Sequence, residues 1–144
     1  MELVYPSSAK PILWVSIHSY GHRSLYPMML DTGADATCFP AAYAALIGHD
    51  NHAIGVKTGH SLGVGGPSNS FSHSLSVSLI DPRTNATKSN DPLDSMPIAW
   101  TSKLSEFVFL EKLTLQFGLL GRDIMREWKS VELSPKKAKW IIRI

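Results

Sequence analysis

Residues 70–79 read Ser-Phe-Ser-His-Ser-Leu-Ser-Val-Ser-Leu, an alternation without a break. In an extended chain, successive side chains point to opposite sides of the backbone. Phe71, His73, Leu75, Val77 and Leu79 therefore share one face, and Ser70, Ser72, Ser74, Ser76 and Ser78 share the other. Such a period-two pattern specifies a half-buried β-strand with a wet serine face. Other strand signals surround it. Ile12–His18 is apolar and partly alternating, and the turn Ser-Tyr-Gly-His-Arg joins it to a second strand, Leu25–Leu30. Pro27 in that second strand favours an edge or a bulge, because proline has no N–H to give a ladder. Shorter apolar runs lie at 36–40, 96–100 and 106–117, and the tail from Ser130 to Ile144 reads as a hairpin turning near Ser134-Pro135-Lys136-Lys137. Ala41–Gly48 is alanine-rich and ends in glycine, which suits one or two helical turns. A second short helix follows Gly121, with Asp123 in its first turn where negative charge suits the helix dipole. Eight or nine strands and two short helices give a small, mainly β barrel or sandwich.

Composition narrows the class. The chain has 144 residues, 44% of them apolar and 18% charged, which fits a single globular domain over residues 1–144. A net charge of +2 is too small to call for a nucleic-acid partner. No stretch reaches the ~20 apolar residues of a membrane span, and the start lacks the basic-then-apolar pattern of a secretory signal. The single cysteine, Cys38, forms no internal disulfide and reads as a core residue, in keeping with a reducing, cytoplasmic setting. His49, His52 and His60 are loosely spaced and far from that cysteine, so no metal site is expected.

Three segments carry chemistry. The apolar run Leu25–Leu30 stops at Asp31, which opens Asp-Thr-Gly-Ala-Asp at 31–35. About 30 residues on, Gly63-Val64-Gly65-Gly66 stands in the glycine-rich segment 59–68, flanked by strand-like sequence, and reads as the tip of a long hairpin. Near the end comes Leu119-Leu120-Gly121-Arg122-Asp123. Taken alone, the first is also an ordinary turn and the second an ordinary loop. A phosphate-binding loop is disfavoured, because no Lys-Ser or Lys-Thr pair follows.

In this order, the three segments closely resemble the retropepsin-like aspartic proteases, the single-lobe relatives of pepsin, over about Ile12 to Trp128. The resemblance implies a closed-barrel-like retropepsin fold with one lobe per chain. It implies that Asp31, with Thr32 and Gly33, is catalytic. The Asp-Thr-Gly triplet occurs once, so the active site would need a homodimer. Two carboxyls about 3 Å apart share one proton, as is established for aspartic-protease dyads. Gly33, Ala34, Asp35, Gly63, Val64, Gly65 and Leu119 would contact an extended peptide or polyprotein substrate, and residues 59–68 would act as a flap. Asp35 and Arg122 would form a structural ion pair behind the site, with a buried charge exposed to loss of its partner at a cost of ~3–5 kcal/mol. No cofactor, metal, nucleic acid or membrane is implied. A retroelement source would place the protein within a virus-like particle. The alternative is a dimeric peptide-binding or scaffolding module with the same fold and negligible proteolysis.

Two segments depart from compact viral relatives: the polar stretch 81–95, expected as an exposed loop, and the C-terminal hairpin. The strand from Trp140 to Ile144 could pair across a two-fold axis or within its own subunit.

Overall fold

A computed structural model describes residues 1–6, 10–49, 56–63, 66–83 and 97–144, with the side chains of residues 46 and 56–68 outside that description. Strand accounts for 54% of the chain and helix for 12%, so the architecture is mainly β, built on a sheet that curls into a half-barrel.

Along the chain the elements are β1 (Glu2–Pro6), β2 (Ile12–Ser19), β3 (His22–Leu30), β4 (Cys38–Pro40), a 3-10 helix (Ala41–Ile47), β5 (Val56–Gly63), β6 (Gly66–Ser74), β7 (Ser76–Ile80), β8 (Ile98–Thr101), β9 (Glu106–Leu110), β10 (Gly118–Leu120), α1 (Arg122–Met125), β11 (Ser130–Ser134) and β12 (Lys139–Arg143). The described residues thus hold more strands than the eight or nine expected. The additions are short pieces, such as β10, or lie in the N-terminal segment 1–11, whose β1 shows no marked alternation.

The β2–β3 hairpin forms as expected, with Ser19 opposite His22. Its two turn residues, Tyr20 and Gly21, both have positive φ (47° and 77°), the backbone twist that suits a two-residue hairpin. Along β2, Leu13, Val15 and Ile17 are buried, while Trp14 and His18 are exposed. Pro27 faces Trp14 of β2, and β10 pairs with β3 only over Met28–Leu30. At Pro27 the strand is therefore locally an edge, which is how an interior strand tolerates it.

Nine strands form one sheet in the order β5-β6-β9-β4-β10-β3-β2-β7-β8. The serine run does not make one strand. It divides at Leu75 into β6, which pairs with β5 and β9, and β7, which pairs with β2 and β8. These two strands lie near opposite ends of the sheet yet are linked by a single residue, so the sheet must curl back on itself. Nor is the serine face uniformly wet. Ser70 and Ser78 are buried, and Ser78 shares a hydroxyl–hydroxyl hydrogen bond of 2.8 Å with Thr101. A serine can be buried there because a partner strand supplies the bond water would have made.

Inside the curl, Phe39 stacks on Phe109 at 5.1 Å and meets Tyr26 and Phe107 edge-on. Phe39, Phe107 and Phe109 are each 1% exposed, and each contributes about 1.5–3 kcal/mol by leaving water. The 3-10 helix ends at Gly48 with φ 87°. A Cβ there would lie 2.8 Å from the His22 ring, so both backbone and space require glycine.

A second, three-stranded sheet has the order β1-β12-β11. The open question about the last strand is resolved within the chain: β12 pairs with β1 on one side and β11 on the other. The expected hairpin turn is a short 3-10 segment, Pro135–Lys137, with Ala138 left-handed at φ 48°. Leu3 and Ile142 point from this sheet into the main core.

Candidate active site

β3 carries apolar residues into the core and ends at Leu30, so Asp31 emerges half-buried at the sheet's end. Two backbone bonds and one to its side chain fix it. The Asp31 N–H donates to the Leu120 carbonyl (3.0 Å), and the Ala34 N–H donates back to the Asp31 carbonyl (3.1 Å). The Gly33 N–H donates to Asp31 Oδ1 at 2.9 Å. A Cβ on Gly33 would sit 3.1 Å from that oxygen, so glycine lets the amide reach the carboxylate without crowding it. Thr32 and Gly33 are exposed beside it.

The loop is clamped from the C-terminal half of the chain. β10 runs parallel to β3 and antiparallel to β4, which places Gly121 and α1 directly under residues 34–37. The Arg122 N–H donates to the Ala34 carbonyl (2.9 Å) and the Asp123 N–H to the Asp35 carbonyl (3.2 Å). The approach at Gly121 is close enough that a Cβ would lie 2.5 Å from the Ala36 carbonyl carbon.

Beneath the loop, Thr37 is 1% exposed. Its N–H donates to both carboxylate oxygens of Asp123 at 2.9 Å, its hydroxyl donates to Asp123 Oδ1 at 2.7 Å, and it accepts the Gly121 N–H at 3.0 Å. The sequence reading gave Asp123 only a dipole role and passed over Thr37. The available signal was a threonine placed among buried apolar residues, where its hydroxyl needs a partner.

Asp35 and Arg122 form the expected ion pair, but not a buried one. Their side chains are 84% and 48% exposed in the single chain. The ~3–5 kcal/mol penalty of a buried pair therefore does not apply to this chain by itself, because water still solvates both charges.

Leu119 departs from its expected role as well. It is 5% exposed and packs with Cys38, Leu110 and Leu113 under the loop, because its register opposite Met29 and Cys38 turns it inward. Cys38 lies in the same cluster, as its core reading required. Burial, then the nearby carboxylates of Asp123 and Asp31, push its thiol up to about 12.

Asp31, Thr32, Gly33, Ala34, Asp35 and Arg122 are thus brought together. The hairpin of β5 and β6 is present, with Gly63 paired to Gly66 and a register shift between Lys57 and Gly59. Val64 and Gly65 lie outside the described residues, as does most of the expected loop 81–95. Of the acids near Asp31, Asp123 is held by Thr37 and Asp35 by Arg122. Among the described residues, no group of three His, Cys, Asp or Glu side chains is placed to hold a metal ion.

Solved structures share this fold. One is a retropepsin-like aspartic protease from Rickettsia conorii, with a TM-score of 0.61, 17% identity, and coverage of 99% of this chain and 89% of that one. Another is EIAV protease complexed with the inhibitor HBY-793, with a TM-score of 0.51, 20% identity, and coverage of 85% and 91%. No protein-family model matches the chain, and no curated protein matches it in sequence.

Proposed function

For a chain with the retropepsin fold of single-lobe aspartic proteases, we propose the activity of an aspartic endopeptidase whose active site forms between two copies. The observation that carries this reading is the state of Asp31. It stands half-buried at a strand end, one carboxylate oxygen held by the Gly33 N–H, while both neighbouring acids have other partners. One chain supplies one such carboxylate. The chemistry needs two in different protonation states, and a two-fold axis through the exposed Thr32–Gly33 edge supplies the second.

In this reading, the two Asp31 carboxyls share a proton. The ionised one takes a proton from water as the water oxygen attacks the scissile carbonyl carbon. The protonated one gives its proton to the carbonyl oxygen. The tetrahedral diol then collapses, the C–N bond breaks, and the nitrogen leaves with a proton returned from the dyad. No covalent enzyme intermediate forms. The Gly33 to Asp35 loop offers backbone groups to an extended peptide, bound as an added strand. The β5–β6 hairpin, in which Gly63 pairs with Gly66, serves as the lid that excludes water. Leu119 supports the loop from below.

The test is a peptide-library digest across pH 3–8, with and without a statine-type peptide that mimics the tetrahedral diol. Cleavage blocked by the mimic and absent in Asp31→Asn supports the reading. Peptide binding without turnover at any pH contradicts it and favours the binding-module alternative.

A further inference from the structure

The C-terminal hairpin turns through Ser134-Pro135-Lys136-Lys137-Ala138-Lys139. The Ala138 N–H donates to the Pro135 carbonyl at 3.2 Å, and Ala138 is left-handed at φ 48°. The chain thus reverses over residues 135–138, and Lys139 returns directly opposite Ser134 on the last rung of β11 and β12. Directly opposed residues share a sheet face, with Cβ atoms about 4.5–5.5 Å apart. Here it is the face turned away from the core, since Leu3 and Ile142 occupy the other.

Ser134 is half-exposed, and its hydroxyl makes no capping bond to the turn that follows it. Its backbone is extended, with φ −108° and ψ 90°, the region to which a following proline confines a residue. Lys136, Lys137 and Lys139 are exposed, and none of the three makes an ion pair among the described residues. From Leu133 to Ile141 there is no acidic residue. The carboxylate two residues back on the same face, Glu132, is already held by Arg143 Nη1 at 3.0 Å. The whole chain carries only +2, so the three lysines concentrate its excess charge at one turn.

We propose that Ser134 is a phosphorylation site for a protein kinase that selects serine before proline, and that Lys136, Lys137 and Lys139 hold the phosphate. The residue types fit the first half. A kinase cleft with no acceptor for the N–H after the serine favours proline there, because any other residue would leave that N–H unpaired. The extended backbone at Ser134 is the shape in which such a cleft takes its chain, and the two lysines after the proline suit an acidic rim. In the transfer, the Ser134 Oγ–P bond forms as the bond from the γ-phosphorus of ATP to ADP breaks. The hydroxyl proton goes to the base of the kinase. The rung geometry fits the second half. A serine phosphate brings a charge of about −1.5 to −2 and three acceptor oxygens. Lys139 meets it from across the hairpin, and Lys136 and Lys137 meet it from the turn, as charge-assisted donors. Nothing in this depends on the chemistry of Asp31.

The test treats the folded full chain, as Asp31→Asn protein to prevent self-digestion, with a proline-directed serine kinase and ATP. Mass spectrometry is expected to find one added phosphate on Ser134, and none in a chain that also carries Ser134→Ala. No phosphate, or phosphate only at other residues, overturns the proposal. The phosphoprotein is then titrated at low salt by phosphorus NMR. A serine phosphate loses its second proton near pH 6, and nearby cations favour the dianion. The midpoint is therefore expected at least about half a pH unit lower in the folded chain than in the same chain in urea. Lys139→Gln, an exposed change that leaves the turn sequence intact, should move the folded midpoint back up. Equal midpoints in folded and unfolded chains overturn the proposal, as does a midpoint that Lys139→Gln leaves unchanged.

Discussion

Thr37 and Asp123 lie 86 residues apart in sequence and are joined by three hydrogen bonds, one of them between side chains at 2.7 Å. Because Thr37 also accepts the Gly121 N–H, this pair locks the loop carrying Asp31 to the start of α1. Thr37→Val keeps the shape but leaves a buried N–H without its acceptor. A loss of ~1–3 kcal/mol is expected, or roughly 3–10 °C in melting temperature for a chain of this size. Thr37→Ser keeps the hydroxyl and should lose only about 0.8 kcal/mol, the value of one methyl group. Equal melting temperatures for the Val variant and wild type would refute the lock.

Two glycines separate folding from function. A Cβ at Gly121 would strike backbone atoms of Ala36 and Thr37 at 2.5–2.8 Å. Gly121→Ala should therefore destabilise by about 3 kcal/mol, as overpacking does. At Gly33 the nearest atom is Asp31 Oδ1 at 3.1 Å, and the residue is exposed. Gly33→Ala should fold with less than about 1 kcal/mol of change while losing peptidase activity. Thermal melts and peptide cleavage, measured on both variants, check the contrast.

The Asp35–Arg122 pair reports on assembly. In the separate chain both side chains are solvated, so a double-mutant cycle with Asp35→Asn and Arg122→Gln should give a coupling below about 1 kcal/mol. If the second subunit covers the loop, coupling measured above the dimerisation concentration should rise toward the ~3–5 kcal/mol of a desolvated pair. Coupling that is independent of protein concentration would mean the loop is not at the interface.

Cys38 should be inert. Burial raises its thiol from the ordinary 9.0 to about 12, so the folded state holds the proton more tightly than the unfolded one. Its contribution to stability is complete below pH 9 and is lost as pH rises toward 12. Urea midpoints should therefore fall more steeply above pH 9 in wild type than in Cys38→Ala. The phenols of Tyr5 and Tyr26, also pushed up by burial, are common to both proteins. Iodoacetamide should label Cys38 only after unfolding, and rapid labelling of the native chain would contradict the burial argument.

The site was more legible in the sequence than its setting was. Asp31, Gly33 and Arg122 stand out because their spacing and residue types reflect local chemistry, and the apolar strand ahead of them is self-evident. The division at Leu75 was hidden because the alternation continues through it unchanged. Only the partner strands differ, and pairing across the sheet leaves no trace in periodicity. Burial of Ser70 and Ser78 was hidden for the same reason. The depth of the Asp35–Arg122 pair could not be read either, since spacing says which charges meet but not how much water reaches them. Leu119 was assigned from its place in the Leu-Leu-Gly-Arg-Asp segment, whereas its orientation follows from register against Met29 and Cys38.

The central claim is that each active site takes one Asp31 from each of two chains. Wild type and Asp31→Asn can be unfolded together, refolded at varied ratios and fixed total concentration, and assayed for cleavage. If the site is shared, activity follows the square of the wild-type fraction, about a quarter at equal parts, as random pairing into two-fold dimers requires. A linear dependence, with about half the activity remaining at equal parts, would mean that one Asp31 suffices and would contradict the account.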